Sequence, residues 1–430
     1  MSEKSIYHVG VKVEDKIKYS ILAELLNQQG ILFERTDDGS NHPCFIDPET
    51  NSPNIIDSKN IDYSSLFEML AGISESSYNE DKLCTVPLNQ QAESIAAAVK
   101  ASYFKQGLPF IRKTYWPNFA PACAIITHDI DTLNNPPVGQ KLEFVKYAMA
   151  RKVKGQPYND NIDNIKIIEK ENGVNSSFYF FQDYGKHQAH LKKVLKYLDK
   201  KDEIALHGSQ HSFQSTEQLE KEKKTLEAIS TTKIDGIRQH GLNFMVPHTW
   251  RYQEKAGFDY DLTHAYNDKF GFRAGTCHPF HPFDSLTKNR FNILELPTSF
   301  MDWTVHHQGL DYSETIEKIK EICSVIEKYN GVFISIFHNL YINEKTCPDV
   351  TNSFVETIKY LKEKKYWITT AKECSTWWRM RENAKLNFTT SSDGLLIQSD
   401  TTLPLEISYP DGKIKKVIVE AGKKLECQND

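Results

Sequence analysis

The 430-residue chain lacks most of the features that would place it in a simple class. No apolar run approaches the roughly 18 residues of a membrane span; VFISIF, at 332–337, is among the longest, so no span is expected. The opening MSEKSIYHVG has no apolar h-region, which predicts no signal peptide and a cytoplasmic protein. There is no basic excess either. Lys plus Arg is 52 against 57 for Asp plus Glu, a net charge of −5, whereas a dedicated nucleic-acid binder needs cations for phosphate. The eight cysteines include no C-x-x-C pair, so they read as reduced thiols, not a disulfide frame or a zinc knuckle. Repeats of fixed period are missing, which excludes a solenoid. So are G-x-S-x-G, G-x-x-x-x-G-K-[ST] and G-x-G-x-x-G, which removes the common hydrolase-elbow, P-loop and dinucleotide signatures. What is present is a core: 39% hydrophobic and 11% aromatic residues exclude a disordered chain.

At about 150 residues per domain, the length allows two or three domains. Residues 1–118 read as a small α/β domain, with helical patterns at 19–28 (Gly30 behind) and 90–103 flanking a polar stretch at 36–62. No chemistry is visible there, and Tyr115-Trp116-Pro117 closes the zone. Across 119–384, apolar strand patterns at 122–127, 177–180, 203–206, 236–237, 292–296, 332–337 and 367–369 alternate with helical ones. The helices fall at 160–172, 189–199, 216–229 (behind Ser215-x-x-Gln218), 313–329 and 350–364. Alternation repeated about seven times predicts an α/β fold with a parallel sheet, of a length that suits a (β/α) barrel. From 385 to 430, LLIQS, PLEISY and KKVIVEA predict a short β appendix with Pro410-Asp411-Gly412 as a hairpin turn. It reads as a structural cap or a carbohydrate-binding module. No candidate ligand lies beyond 384, so deleting the appendix is expected to spare the site.

The chemistry lies in where ionisable residues fall. Strand 122–127 runs into His128-Asp129-Ile130-Asp131, and 203–206 into His207-Gly-Ser-Gln-His211. The strand at 236–237 leads to Arg238-Gln239-His240, the one at 292–296 carries Glu295, and 332–337 ends at His338-Asn339. In a parallel barrel all those ends share one face, where active sites are built. Each residue alone reads more simply as a turn, a cap or a satisfied core histidine. Together, Asp131, His207 and His211 offer one carboxylate and two imidazoles, a three-ligand set for a divalent metal with positions left open. The stretch 273–284, with His278-x-x-His281, reads as a substrate-facing loop, with packing or a second metal pair as alternatives.

Thr127-His-Asp129-Ile-Asp131, His207-Gly-Ser-Gln-His211, Gly236-Ile-Arg238 and Ile336-Phe-His338 resemble, in order, the motifs of the polysaccharide deacetylases (NodB-like, carbohydrate esterase family four). The resemblance spans about 119–380 and implies a deformed (β/α) barrel of about seven parallel strands. It implies Asp129 as general base, Asp131, His207 and His211 as metal ligands, Arg238 as the residue orienting the base, and His338 as catalytic acid. Three departures stand out. The aspartates are split by Ile130, as in a D-x-D branch of the family. Gln239-His240 follows the arginine where the family has two prolines. Asp302-Trp303 is similar to the family's D-W motif, while Glu295 competes as partner of an active-site His or Arg. Catalytic roles are thus expected for Asp129, His338, Arg238 and Glu295, and substrate contacts for His240, Asp302 and Trp303. The implied cofactor is a divalent metal, zinc first, with cobalt or nickel also fitting. The implied reaction is hydrolysis of an acetyl group, foremost N-acetyl, from a sugar or polysaccharide precursor. A C–N hydrolase acting on a non-sugar amide and a non-catalytic sugar-binding protein are the alternatives.

Overall fold

The computed structural model describes residues 7–37, 42–47, 55–56, 61–74, 85–131, 133, 161–181, 188–391 and 394–428. Four short strands, β1 (Val9–Val11), β2 (Phe33–Arg35), β3 (Phe45–Ile46) and β4 (Ile55–Ile56), form a parallel sheet in the order β2-β1-β3-β4. They pack with helices Lys16–Gln28, Tyr63–Leu70 and Pro87–Lys105. The first helix begins where the Asp15 carboxylate accepts from the Ile17 and Lys18 amides, and the third begins with proline, which lacks the N–H that a first turn leaves unpaired. β5 (Phe110–Lys113) follows.

The barrel is built from β6 (Cys123–Ile130), β7 (Ser177–Phe181), β8 (Glu203–Gly208), β9 (Gly236–Gln239), β10 (Tyr260–Asp261), β11 (Leu294–Glu295), β12 (Phe300–Met301), β13 (Val332–Ile336) and β14 (Trp367–Thr369). The order is β11-β10-β9-β8-β7-β6-β13-β12, all parallel. β14 pairs with the first half of β6, below the point where β7 takes over that edge. Strand side chains alternate, and the core separates accordingly. Ile126, Ile130, Phe178, Phe180, Leu206, Ile237, Phe333 and Phe337 face the outer helices. Cys123, Ile125, Tyr179, Ala205, Tyr260, Leu294, Leu296, Val332 and Ile334 fill the barrel, with Trp116, Ala371, Cys374 and Trp378 in the same cluster. The seven expected strands are all present. The two added ones, β10 and β12, have two residues each, too few for alternation to show in sequence. β6 also runs three residues further than expected, so His128 and Asp129 sit on the strand itself.

The chain ends join each other. β15 (Leu386–Ser391), β16 (Gly394–Ser399) and β19 (Lys424–Gln428) form one antiparallel sheet. β17 (Leu403–Ser408) and β18 (Ile414–Val419), joined through the expected Pro410-Asp411-Gly412 turn, form another in which β17 also pairs with β5. Leu386, Phe388, Ile397, Leu405 and Ile407 share one core with Leu25, Ile95 and Val99. Buried Arg381 ties the parts together by donating to the carbonyls of Asn27, Gln28 and Thr114. The 273–284 stretch packs at this junction, with His278 and His281 buried. His278 Nε2 donates to the Tyr329 carbonyl at 2.9 Å, and burial followed by Arg381 pushes its pKa down to about 3. His281 lies against the Ile293 carbonyl and Glu382. Phe280 and Phe283 enter the shared core.

Deleting 385–430 therefore uncovers buried residues at about 1.5–3 kcal/mol for each large apolar side chain. The expected result is insoluble protein or a thermal midpoint many degrees lower by circular dichroism. A soluble truncated chain with an unchanged midpoint would show that the appendix is dispensable to the core. Among the described residues, no helix is long and apolar enough to cross a membrane.

Candidate metal centre and active site

Strand parity builds the site. On β6, Thr127 and Asp129 point inward, and Asp131 follows with the same parity just past the strand end, whereas His128 and Ile130 point outward. A D-x-D spacing thus sends both carboxylates into the barrel, one above the other. β9 repeats the device, with Arg238 followed two residues later by His240. β8 supplies His207 directly across from Arg238.

Two tiers result. In the lower one, buried Arg238 donates from Nη1 to Asp129 Oδ1 at 2.5 Å and from Nη2 to Thr127 Oγ1 at 2.9 Å. Its guanidinium lies over the Tyr179 ring, 4.4 Å from the centroid. Burial alone would raise the Asp129 pKa, but Arg238, then His207 and His338, outweigh it and hold the carboxyl below its usual value. The Asp129 Oδ2 faces His207 Nε2 at 3.7 Å, beyond hydrogen-bond length.

In the upper tier, Asp131, His207 and His240 bring one ligand atom each within 4.8 Å of the others. His207 Nε2 is 3.3 Å and His240 Nε2 4.0 Å from Asp131 Oδ1. The other ring nitrogens are occupied: His207 Nδ1 donates to the Arg238 carbonyl at 3.0 Å, and His240 Nδ1 to Gln210 Oε1 at 2.9 Å. Each ring therefore turns Nε2 toward the carboxylate, the usual second contact of a metal-bound histidine. Asp131 Oδ1 is buried without a hydrogen bond of good geometry. Against burial, His207 and His338 hold Asp131 well below the ordinary carboxylate range. Burial and then His207 lower the His240 pKa, which favours the neutral ring that a metal ligand needs. A carboxylate and two imidazoles with free Nε2 atoms suit a divalent ion of the zinc type.

His338 faces the same carboxylate from the opposite side, with Nε2 at 3.9 Å from Asp131 Oδ2. Since β12 and β13 are neighbours, Asp302, just past β12, meets His338, just past β13. Asp302 accepts from the His338 amide at 2.7 Å and from Nδ1 at 2.5 Å. Burial would lower the His338 pKa, but Asp302, with Asp131 and Asp129 behind it, pushes it up to about 10.

Three of the expected site residues lie elsewhere than expected. Glu295 is absent from the site. Leu294 and Leu296 point into the barrel, so Glu295 points out, where it accepts from Trp250 Nε1 at 2.8 Å and from the His264 amide at 3.0 Å. Burial and neighbouring Asp261 raise its pKa far above the usual range. Asp302 is buried beneath His338, while the adjacent Trp303 is 46% exposed. His211 stands apart from the upper tier. β8 ends at Gly208, and His211 is an exposed residue opening the turn Ser212–Gln214. Gln210, which accepts from His240 Nδ1, is a contact that sequence reasoning misses; its position beside His211 in the H-x-x-x-H stretch carries no signal of its own.

No family model matches the chain, and no curated protein matches it. Solved structures do. The chain is similar to polysaccharide deacetylases. A protein of Mycobacterium smegmatis described as one is 17% identical, covering 65% of this chain and 98% of its own, with a TM-score of 0.46. Another from Pseudomonas aeruginosa PAO1 is 14% identical over 63% of this chain and 95% of its own, with a TM-score of 0.47. Puue allantoinase is 14% identical over 62% of this chain and 93% of its own, with a TM-score of 0.46. At these identities the likeness is one of fold.

Proposed function

We propose that the chain is a metal-dependent hydrolase that removes an acetyl group, foremost N-acetyl, from a sugar or polysaccharide precursor. The observation that carries this reading is the two-tier arrangement, with an ionised carboxylate clamped by Arg238 directly beneath a carboxylate–imidazole cluster. Asp131 and His207, with a further imidazole, would hold a divalent ion, zinc first among zinc, cobalt and nickel, which when bound polarises a carbonyl and acidifies water. Asp129 takes the proton of the attacking water through Oδ2, since Oδ1 is engaged by Arg238. Arg238 keeps that carboxylate ionised and aimed. An amine is too basic to leave as an anion, so His338, kept protonated by Asp302, supplies the proton to the leaving nitrogen. Trp303, exposed and next in the chain to Asp302, is a surface on which a sugar ring can stack.

The test is a release panel run with the metal content measured. Acetate from N-acetylated oligosaccharides or nucleotide sugars is the expected product. Ammonia or another acid from non-sugar amides would move the chain to a different C–N hydrolase. Sugar binding without turnover would make it a binding protein.

A further inference from the structure

We propose that His240, carried by β9, is the third protein ligand of the metal, in the place that the H-x-x-x-H spacing would give to His211. The inference rests on the metal-dependent reading above and goes further by naming the ligand set. Donor atoms around a tetrahedral ion with bonds of about 2.0–2.1 Å lie about 3.4 Å apart. The His207–Asp131 pair, at 3.3 Å, already has that spacing, and His240 Nε2 at 4.0 Å needs only a small side-chain adjustment.

Strand parity is the first independent support. His240 follows Arg238 by two residues as Asp131 follows Asp129, and the lower pair is already joined by the buried ion pair. The same alternation that fixes the lower tier therefore brings the upper pair together. His211 has no such alignment, because the turn after Gly208 separates it from the end of β8.

The second support is the turn itself. Gly208 leaves no room for a side chain, since a Cβ there would stand 2.2 Å from Gln239 Oε1 and 2.7 Å from Ser212 Oγ. Buried Ser212 donates to Gln239 Oε1 at 2.9 Å, and the Ser209 amide donates to Glu222 at 3.1 Å. These bonds pin the backbone so that Gln210 reaches His240 Nδ1 and His211 faces solvent. The H-x-x-x-H stretch thus supplies one ligand, His207, and the amide that orients a ligand from the next strand.

The experiment measures zinc stoichiometry and affinity, and the visible absorption of the cobalt-substituted protein, in the full chain and in His240→Ala, His211→Ala, Gln210→Ala and Asp131→Asn. His240→Ala is expected to weaken zinc binding by more than 100-fold and to change the cobalt spectrum. Gln210→Ala should weaken binding about 10-fold, as loss of an orienting partner does. His211→Ala should match the unaltered chain on both readouts. Because His240 is partly exposed, folding is checked by thermal midpoint, with His240→Gln as a second variant that keeps a polar side chain of similar reach. Metal lost from His211→Ala and kept in His240→Ala overturns the proposal while leaving the metal-dependent reading in place. Equal losses in both variants also overturn it, because His211 would then be a ligand too. An unaltered chain that binds neither zinc nor cobalt overturns the metal-dependent reading itself.

Discussion

Changing Asp129 to asparagine is expected to leave the metal content near one per chain and to cut turnover by about 10²–10⁴-fold, the usual worth of a positioned base. Changing Asp131 instead should strip the metal, with activity partly restored by added ion. Asp and Asn have nearly the same shape, so both changes test charge and basicity more than packing. The geometry separates the two residues. Asp129 Oδ1 is taken by Arg238 at 2.5 Å, whereas Asp131 Oδ1 is buried and faces the Nε2 atoms of His207 and His240. The Asp129→Asn change leaves a buried guanidinium without its counter-charge, at a stability cost of up to about 3–5 kcal/mol. A thermal midpoint recorded beside the kinetics separates that loss from the chemical one. Retained metal with activity that added ion cannot rescue identifies the base. Metal lost from Asp129→Asn and kept in Asp131→Asn would exchange the two roles, and full activity in both would sink the mechanism.

This half of the site is legible in the sequence because strand alternation is a local rule. Once 122–131 is read as a strand, Thr127, Asp129 and Asp131 must share a face. The same rule, applied to Leu294-Glu295-Leu296, turns Glu295 away from the barrel, so its outward placement was legible in sequence too. The placement of His211 away from the upper tier has another cause. The H-x-x-x-H spacing says nothing about where β8 stops, and the glycine- and serine-controlled bends after His207 decide which side chain returns to the site. The joint core of the chain ends is beyond any local rule. β5 and β17 pair across almost three hundred residues, and neither strand carries a mark of its partner. Asp302 and His338 fall between these cases. Each motif is visible, but their pairing depends on β12, a two-residue strand with no periodicity to read.

Substituting His338 by alanine is expected to separate substrates by their leaving groups. An N-acetyl sugar must expel an amine and should lose turnover by about 10²–10⁴-fold, while an aryl acetate that expels a low-pKa phenolate should lose far less. Asp302→Asn gives the companion result, because the Asp302 carboxylate is what holds His338 protonated against the effect of burial. With His338 raised to about 10, an acid-dependent rate in the unaltered chain persists through neutral pH and declines only as His338 deprotonates in the alkaline range. Removing the Asp302 charge lowers that pKa, so the alkaline decline should move toward neutrality while the rate at pH 6 suffers least. The two measurements check each other. A leaving-group-independent loss in His338→Ala would assign His338 to binding or metal support instead of proton donation. An alkaline limb unmoved by Asp302→Asn would mean that some other group carries the proton, even if His338 proves essential.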